Sequence, residues 1–170
     1  IPDIRRIVTV SGSGVRDPKN LNCRIGTPFR ELLDACGGVY PDTFKILAGG
    51  PMMGYAQYNM DVPVGKGTNG ILAFRKDEER TVADPTCIRC GKCTSVCPMR
   101  LQPLFMYMYE SRDMLKELEA AHVMDCIECG CCAYICPGRL HLTQTFRTGK
   151  QKILNARAKA KAEAEAAAKA

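Results

Sequence analysis

The sequence predicts an α+β protein built from two small units, the first rich in strands and the second mainly helical and rich in cysteine. A length of 170 residues suits one domain or two small ones. Short β-branched runs bounded by glycine occur in the first half, and a doubled cysteine motif occurs in the second. A hydrophobic fraction of 46% and a charged fraction of 25% are typical of a globular chain, which argues against disorder.

The N-terminal unit, expected over residues 1–75, is predicted to contain several strands and one short helix. The predicted strands are 4–10, 44–48 and 70–74. Thr27 is predicted to be the N-cap of a helix whose first residue is Pro28 and which a glycine pair ends. The apolar face of this helix is made of Phe29, Leu32, Leu33 and Cys36.

A glycine-rich segment at 65–70 matches the G-x-G-x-x-G pattern of dinucleotide-binding folds. In those folds the pattern opens a helix whose N-terminus binds the pyrophosphate. Here the apolar run 71–74 continues as a strand instead. The segment is therefore predicted to be a glycine hairpin, and we assign no nucleotide site to it.

The limits of the units are predicted from charge and composition. The charge run 76–82 is expected to be a linker, residues 83–150 the cysteine-rich unit, and residues 151–170 an exposed tail rich in Ala, Lys and Glu. The tail has high helix propensity and no apolar stripe, so an exposed helix is expected from residue 156 onward. Because the chain begins with Ile1, we expect it to be a segment of a longer polypeptide.

Two cysteine motifs of the same form dominate the second unit. Each reads C-x2-C-x2-C-x3-C-P, the run found in bacterial ferredoxins with two [4Fe-4S] clusters, where the fourth cysteine binds the other cluster. The ligands predicted for cluster 1 are Cys87, Cys90, Cys93 and Cys136. The ligands predicted for cluster 2 are Cys126, Cys129, Cys132 and Cys97.

Zinc is an alternative occupant of these motifs, but it prefers paired C-x2-C knuckles to three thiols at successive x2 spacing. Because cysteine fills all eight ligand positions, the motifs favour electron transfer over catalysis, and no catalytic residue is predicted. Cys131 is interpreted as a bystander thiol, with exchange into a ligand position as the alternative. Cys23 and Cys36 have no partner spacing and are predicted to be buried thiols of the first unit.

Between the two motifs, a helix is predicted to start at Pro103. Its apolar side is expected to be Leu104, Phe105, Met108 and Tyr109. The apolar run 104–109 is expected to cover the clusters, with a partner-binding face as the alternative. Loop charges predict the higher reduction potential for cluster 1. Arg89 and Lys92 favour an added electron there, whereas Glu128 and Asp125, just before Cys126, oppose it at cluster 2.

The charge and hydropathy patterns exclude two classes of partner. The net charge of +6 is not gathered on one predicted face, so no nucleic-acid partner is predicted. No stretch approaches the roughly 18 apolar residues of a spanning helix, so this chain is not expected to insert into a membrane.

Five short segments occur in an order that is specific to one family. They are Val10-Ser11-Gly12, Gly26-Thr27-Pro28, Gly37-Gly38, Gly49-Gly50-Pro51-Met52-Met53-Gly54 and the two motifs with Asp125-Cys126-Ile127-Glu128-Cys129-Gly130. With these segments, residues 4 to about 150 resemble the C-subunit family of the Rnf (or Rsx) complexes, which are ion-translocating ferredoxin:NAD+ oxidoreductases.

The resemblance implies a β-grasp soluble-ligand-binding domain followed by a dicluster ferredoxin-like domain. It also implies that two [4Fe-4S] clusters pass single electrons in a complex on the cytoplasmic side of the membrane, with other subunits as partners. FMN and NADH belong to the family's upstream domain, which no residue of this chain matches. An iron-sulfur subunit of a soluble dehydrogenase or reductase is the alternative function.

Overall fold

The computed structural model describes residues 2–76 and 84–167, and the chain divides into two compact units, Ile1–Arg80 and Thr81–Ala170. The predicted α+β class is confirmed, because the first unit holds a five-stranded sheet with one helix and the second holds only helices among its described elements. The predicted linker 76–82 lies outside the described residues except for Lys76.

A mixed sheet forms the first unit. Its strands are β1 (Arg5–Ser11), β2 (Lys19–Arg24), β3 (Thr43–Ala48), β4 (Tyr55–Gln57) and β5 (Gly70–Arg75). The strand order is β2-β1-β5-β3-β4. The central pair β1 and β5 is parallel, with Val10 opposite Ile71, and the other pairs are antiparallel. Strands β1, β3 and β5 are the three that the sequence predicts.

Helix α1 (Phe29–Ala35) completes the core of the first unit. Its predicted apolar face is confirmed, since those side chains are buried together with Val8, Val10 and Ile71 of the sheet. Cys23 and Cys36 are also buried in this core, as predicted. Burial raises the pKa of the Cys36 thiol, as expected for a packed, unreactive cysteine.

The predicted Thr27 cap of α1 is wrong. The N-cap residue is Pro28, and no side-chain hydrogen bond caps the helix. Instead, the N–H of Phe29 donates to the carbonyl of Val62 at 3.0 Å, and the N–H of Arg30 donates to the carbonyl of Met60 at 2.9 Å. The first-turn donors are thus satisfied by a distant segment of the chain, which a local cap pattern cannot show.

Strands β2 and β4 are not predicted by the sequence, because β2 is largely polar and β4 is a three-residue edge strand. The glycine hairpin predicted at 65–70 is wrong, since β5 pairs with β1 and β3 rather than with residues 62–64. The segment is a turn in which the N–H of Gly65 donates to Oγ1 of Thr68 at 3.0 Å. It leads into β5, so the helix that a dinucleotide site requires does not follow it.

Short helices and one long helix form the second unit. They are α2 (Lys92–Ser95), α3 (Pro103–Glu110), α4 (Leu115–Ala120), α5 (Cys131–Ile135) and α6 (Leu142–Ala167). The core contains Met106 from α3, Leu118 from α4, and Phe146 and Ile153 from α6. Helix α6 therefore joins the other helices into one unit. Among residues 2–76 and 84–167, no helix is both long and apolar enough to cross a membrane.

Two expectations for the second unit are corrected. The buried side chains of α3 are Pro103 and Met106, three positions apart on one face, whereas Phe105 on the predicted apolar side is 46% exposed. The predicted exposed tail 151–170 begins later than expected, because Ile153 is only 2% exposed and packs in the core. Residues 154–166 form an exposed helix, in agreement with the prediction for the tail from residue 156.

Replacing Gly12 by alanine should destabilise the first unit by at least about 2 kcal/mol. Gly12 has a φ of 107°, and an added Cβ would lie 2.1 Å from the carbonyl oxygen of Ala73 on β5. In the matched control Gly67→Ala, the Cβ meets nothing within 4 Å, so stability should change by less than about 0.5 kcal/mol. Denaturant unfolding of both variants measures the difference, and equal stabilities would contradict it.

Candidate iron-sulfur site

Two cavities of similar size lie in the second unit, each lined by four cysteines. Cavity 1, about 380 Å³ with its solvent-open space, is lined by Cys87, Cys90, Cys93 and Cys136. Cavity 2, about 370 Å³ on the same measure, is lined by Cys126, Cys129, Cys132 and Cys97. Each cavity thus combines three cysteines of one motif with the last cysteine of the other. The groups coincide with the two predicted ligand sets, whose ligation stays a prediction.

The same backbone turns shape both motifs. Arg89 and Glu128, which lie between the first and second cysteines, have φ values of 56° and 55°. Gly91 and Gly130, which follow the second cysteines, have φ values of 74° and 82°. These left-handed residues coil the chain so tightly that three cysteines reach one cavity. The N–H of Arg89 and that of Glu128 each donate to the sulfur of the first cysteine at 3.4 Å.

The fourth cysteine of each motif follows a helix that stops. Helices α2 and α5 end at Ser95 and Ile135, and the proline after each fourth cysteine has no N–H with which to continue a helix. Gly138 then passes Thr86 so closely that an added Cβ would lie 2.1 Å from the Thr86 carbonyl oxygen. This close pass brings the chain that carries Cys136 next to the start of the first motif.

Burial differs among the cysteines of the two cavities and raises the pKa of two thiols in cavity 2. Cys90 is exposed, whereas Cys132 is 8% exposed and burial raises its pKa to about 12. Burial also raises the pKa of Cys126. A cationic centre bound in the cavity would oppose this effect, because metal ions favour the thiolate form of cysteine.

The walls of cavity 2 fit an iron-sulfur cluster. Four cysteines meet a largely apolar lining that includes Met106 and Phe146, a donor set suited to iron-sulfur chemistry and not to hard cations. Oγ1 of Thr143, which lines the same cavity, is the one buried side-chain oxygen or nitrogen without a hydrogen-bond partner in the described part of the chain. Within that part, no three Cys, His, Asp or Glu side chains are arranged to hold a single metal ion.

An ion cluster joins α6 to the second cysteine loop. The Glu128 carboxylate accepts hydrogen bonds from Arg147 at 2.7 Å and from Lys150 at 2.9 Å, and the three side chains are 16–22% exposed. Lys150 also donates to the carbonyl oxygen of Cys126. Burial acts to raise the pKa of Glu128, but the bonds from Lys150 and Arg147 outweigh it and hold that pKa below its usual value.

This ion cluster offsets part of the charge difference from which the order of potentials is predicted, and that order stays a prediction. Two cations of α6 flank the Glu128 carboxylate, so the three groups together carry one net positive charge beside cavity 2. Arg89 and Lys92 beside the first motif are exposed, so solvent screens their charges more strongly. The sequence shows that Glu128 is negatively charged, but it does not show that two cations of α6 bind its carboxylate.

Two residues of the apolar run between the motifs line the cavities, and the partner-binding alternative for this run stays open. Leu104 lines cavity 1 and Met106 lines cavity 2. Phe105 points outward and stacks on Tyr109 with 6.5 Å between ring centroids. Cys131 starts α5 and lies outside both linings, and its hydrogen bond with the side chain of Cys129 raises the pKa of Cys131. Its bystander role stays a prediction.

Comparison with known proteins follows the division into two units. The family model of the SLBB domain matches residues 7–56, and that of the 4Fe-4S dicluster domain matches residues 81–137. The C subunit of the Na+-translocating ferredoxin:NAD+ oxidoreductase complex of Acetobacterium woodii is 43% identical over 157 residues, or 92% of this chain. The C subunit of the ion-translocating oxidoreductase complex of Rhodobacter capsulatus is 48% identical over 155 residues, or 89% of this chain.

The chain is homologous to the C subunits of these complexes. This confirms the resemblance drawn from the glycine segments and the cysteine motifs. The chain spans 35% of the length of the A. woodii protein and 29% of that of the R. capsulatus protein. The dicluster match also shows that residues of the second unit belong to an iron-sulfur domain.

Removing the Glu128 carboxylate in Glu128→Ala should lower the free energy of unfolding by about 1–3 kcal/mol. The partly buried Arg147 and Lys150 would lose the negative charge that offsets their positive charges. The matched control is Glu165→Ala, since Glu165 faces Lys161 at 3.8 Å and is 62% exposed. Its loss should stay below about 0.5 kcal/mol. Anaerobic denaturant unfolding compares the two, and equal losses would show that the ion cluster adds no stability.

Proposed function

We propose that this chain transfers electrons within a membrane-associated ferredoxin:NAD+ oxidoreductase complex coupled to ion translocation. The observation that carries the proposal is the pair of cavities, each lined by four cysteines drawn from both motifs. The reaction class comes from the homologous proteins, which are named for a Na+-translocating complex in A. woodii and a proton-translocating complex in Clostridium ljungdahlii. The C. ljungdahlii protein is 44% identical over 117 residues, or 69% of this chain and 26% of that protein.

In this proposal the motif cysteines bind two [4Fe-4S] clusters. Cavity 1 uses Cys87, Cys90, Cys93 and Cys136, and cavity 2 uses Cys126, Cys129, Cys132 and Cys97. A bound cluster of this type supplies one-electron redox chemistry. Met106 and Phe146, both fully or almost fully buried, exclude water from cavity 2, and the Glu128 ion cluster fixes the loop that carries Cys126 and Cys129.

The crossed arrangement supports transfer between two centres in one small unit. Helices α2 and α5, which precede the crossing cysteines, pack against each other. Cys97 and Cys136 therefore leave neighbouring helices and reach opposite cavities. We infer that this packing keeps the two centres at a fixed separation, as repeated single-electron transfer requires.

The remaining assignments concern the longer polypeptide. We assign electron transfer to residues 83–150 and a β-grasp role to residues 1–75, with residues 76–82 as the linker. FMN and NADH are proposed to bind on a part of the polypeptide outside this chain. The chain is proposed to act at the cytoplasmic face of the membrane, with other subunits of the complex as its partners.

Anaerobic reconstitution should give about eight iron and eight sulfide per chain, with an EPR signal that appears on reduction. The matched control is the double variant Cys23→Ala/Cys36→Ala, which should hold the same amounts because both thiols lie in the core of the first unit. Metal analysis, sulfide analysis and EPR measure the result. Stoichiometric zinc without sulfide would overturn the proposed function.

Cys136→Ala should damage the cluster of Cys87, Cys90 and Cys93 and spare the cluster of its own motif, because Cys136 lines cavity 1. Cys97→Ala should damage the other cluster for the same reason. Cys131→Ser is the matched control and should leave both clusters intact. EPR and iron analysis distinguish the two clusters. If each variant instead lost the cluster bound by the other three cysteines of its own motif, crossed ligation would be contradicted.

A further inference from the structure

We propose that the Thr143 hydroxyl donates a hydrogen bond to a sulfur of the cluster in cavity 2 and raises the reduction potential of that cluster alone. The inference rests on the proposed function, in which cavity 2 holds a cluster. It adds a residue outside both cysteine motifs that tunes one centre and not the other.

The burial of Thr143 is the first observation. Its side chain lines cavity 2, the residue is 8% exposed, and Oγ1 has no hydrogen-bond partner among the described residues. A buried hydroxyl without a partner is costly, so native structures almost always supply an acceptor. A cluster bound by the four cysteines that line this cavity would offer sulfur atoms as hydrogen-bond acceptors.

The usual local partner of a helical threonine is not available to Thr143. Thr145 shows the ordinary solution, because its hydroxyl donates to the carbonyl of His141 four residues earlier at 3.1 Å. His141 directly precedes α6, whereas Arg139, four positions before Thr143, lies three residues before the helix begins and has a φ of 54°. The hydroxyl therefore faces the cavity without a competing backbone bond.

Glu128 is another polar group in the lining of cavity 2. Its carboxylate is held by Arg147 and Lys150 and makes no hydrogen bond with Thr143. A buried water is the other candidate partner for Thr143. Such a water needs two to four polar neighbours, and most of the remaining lining is apolar. The lining of cavity 2 therefore favours a cluster sulfur as the acceptor for the Thr143 hydroxyl.

The first motif provides a natural comparison. Leu104 is the second residue of α3, as Thr143 is the second residue of α6, and each helix follows the fourth cysteine of a motif. Leu104 lines cavity 1, at the place that Thr143 holds in cavity 2. The chain therefore places a hydrocarbon beside one candidate centre and a hydroxyl beside the other.

The sign of the effect follows from charge. Reduction adds one electron and no atom to the cluster, and in the experiment the electron comes from the reductant used as titrant. The added negative charge strengthens a hydrogen bond to sulfur, so the bond stabilises the reduced form more than the oxidised form. Loss of the hydroxyl should therefore lower the potential.

The test is an EPR-monitored redox titration of the cluster-loaded full chain carrying Thr143→Val, a change that keeps the shape and removes the hydroxyl. At the potential where the wild-type cavity 2 cluster is half reduced, the ratio of reduced to oxidised cluster should fall about fivefold, equivalent to about 1 kcal/mol. The cavity 1 cluster should titrate as in wild type. Thr143→Ala should shift in the same direction, and Thr143→Ser should restore the wild-type ratio.

Thr145→Val is the matched control on the same helix, because its hydroxyl is already bonded to a backbone carbonyl, and it should leave both potentials unchanged. Unshifted potentials in both Thr143→Val and Thr143→Ala would overturn this proposal, as would equal shifts of both clusters. Clusters that assemble with unshifted potentials would leave the proposed function standing. A wild-type chain that binds no iron and sulfide would overturn both.

Discussion

Each cysteine motif of the second unit delivers three cysteines to one cavity and its fourth to the other, so neither cavity is complete without both motifs. The rest of the unit follows from this crossing. The helices before the crossing cysteines are short, and the chain after Cys136 passes Thr86 at a distance that only glycine at position 138 allows. The buried residues of α3, α4 and α6 then form a small core beside the cavities.

The crossing depends on backbone conformations that most residues avoid. Arg89 and Glu128 take left-handed φ angles within the loops, and Arg100 and Arg139 do so shortly after the fourth cysteines. Each such residue costs on the order of 1 kcal/mol, and such strain tends to persist at functional sites. Its recurrence at equivalent places in both motifs indicates that the loops are shaped for the cavities and not for their own stability.

The two cavities share their loops but differ in what surrounds them. Helix α6 supplies Thr143 and Phe146, which line cavity 2, and the two cations that hold Glu128 of the same lining. Cavity 1 has an exposed cysteine, Cys90, and Leu104 in its lining. The surroundings of the two cavities therefore differ partly through the helix that follows the second motif, which the loop sequences do not show.

The sequence by itself determined the features that rest on local pattern: strands β1, β3 and β5, the buried face of α1, the buried thiols and the grouping of eight cysteines by their spacing. Tertiary structure decided the features that depend on residues distant in the chain. Met60 and Val62 satisfy the N-terminus of α1 where Thr27 was expected to do so, and polar β2 is a strand because β1 pairs with it. The pairing of the Glu128 carboxylate with two cations and the burial of Ile153 likewise depend on where α6 packs. Residue spacing determines which side chains of a short segment lie on the same side. A hydrogen bond, an ion pair or a buried face also needs a partner, and where that partner is distant in the sequence, only folding brings it into contact.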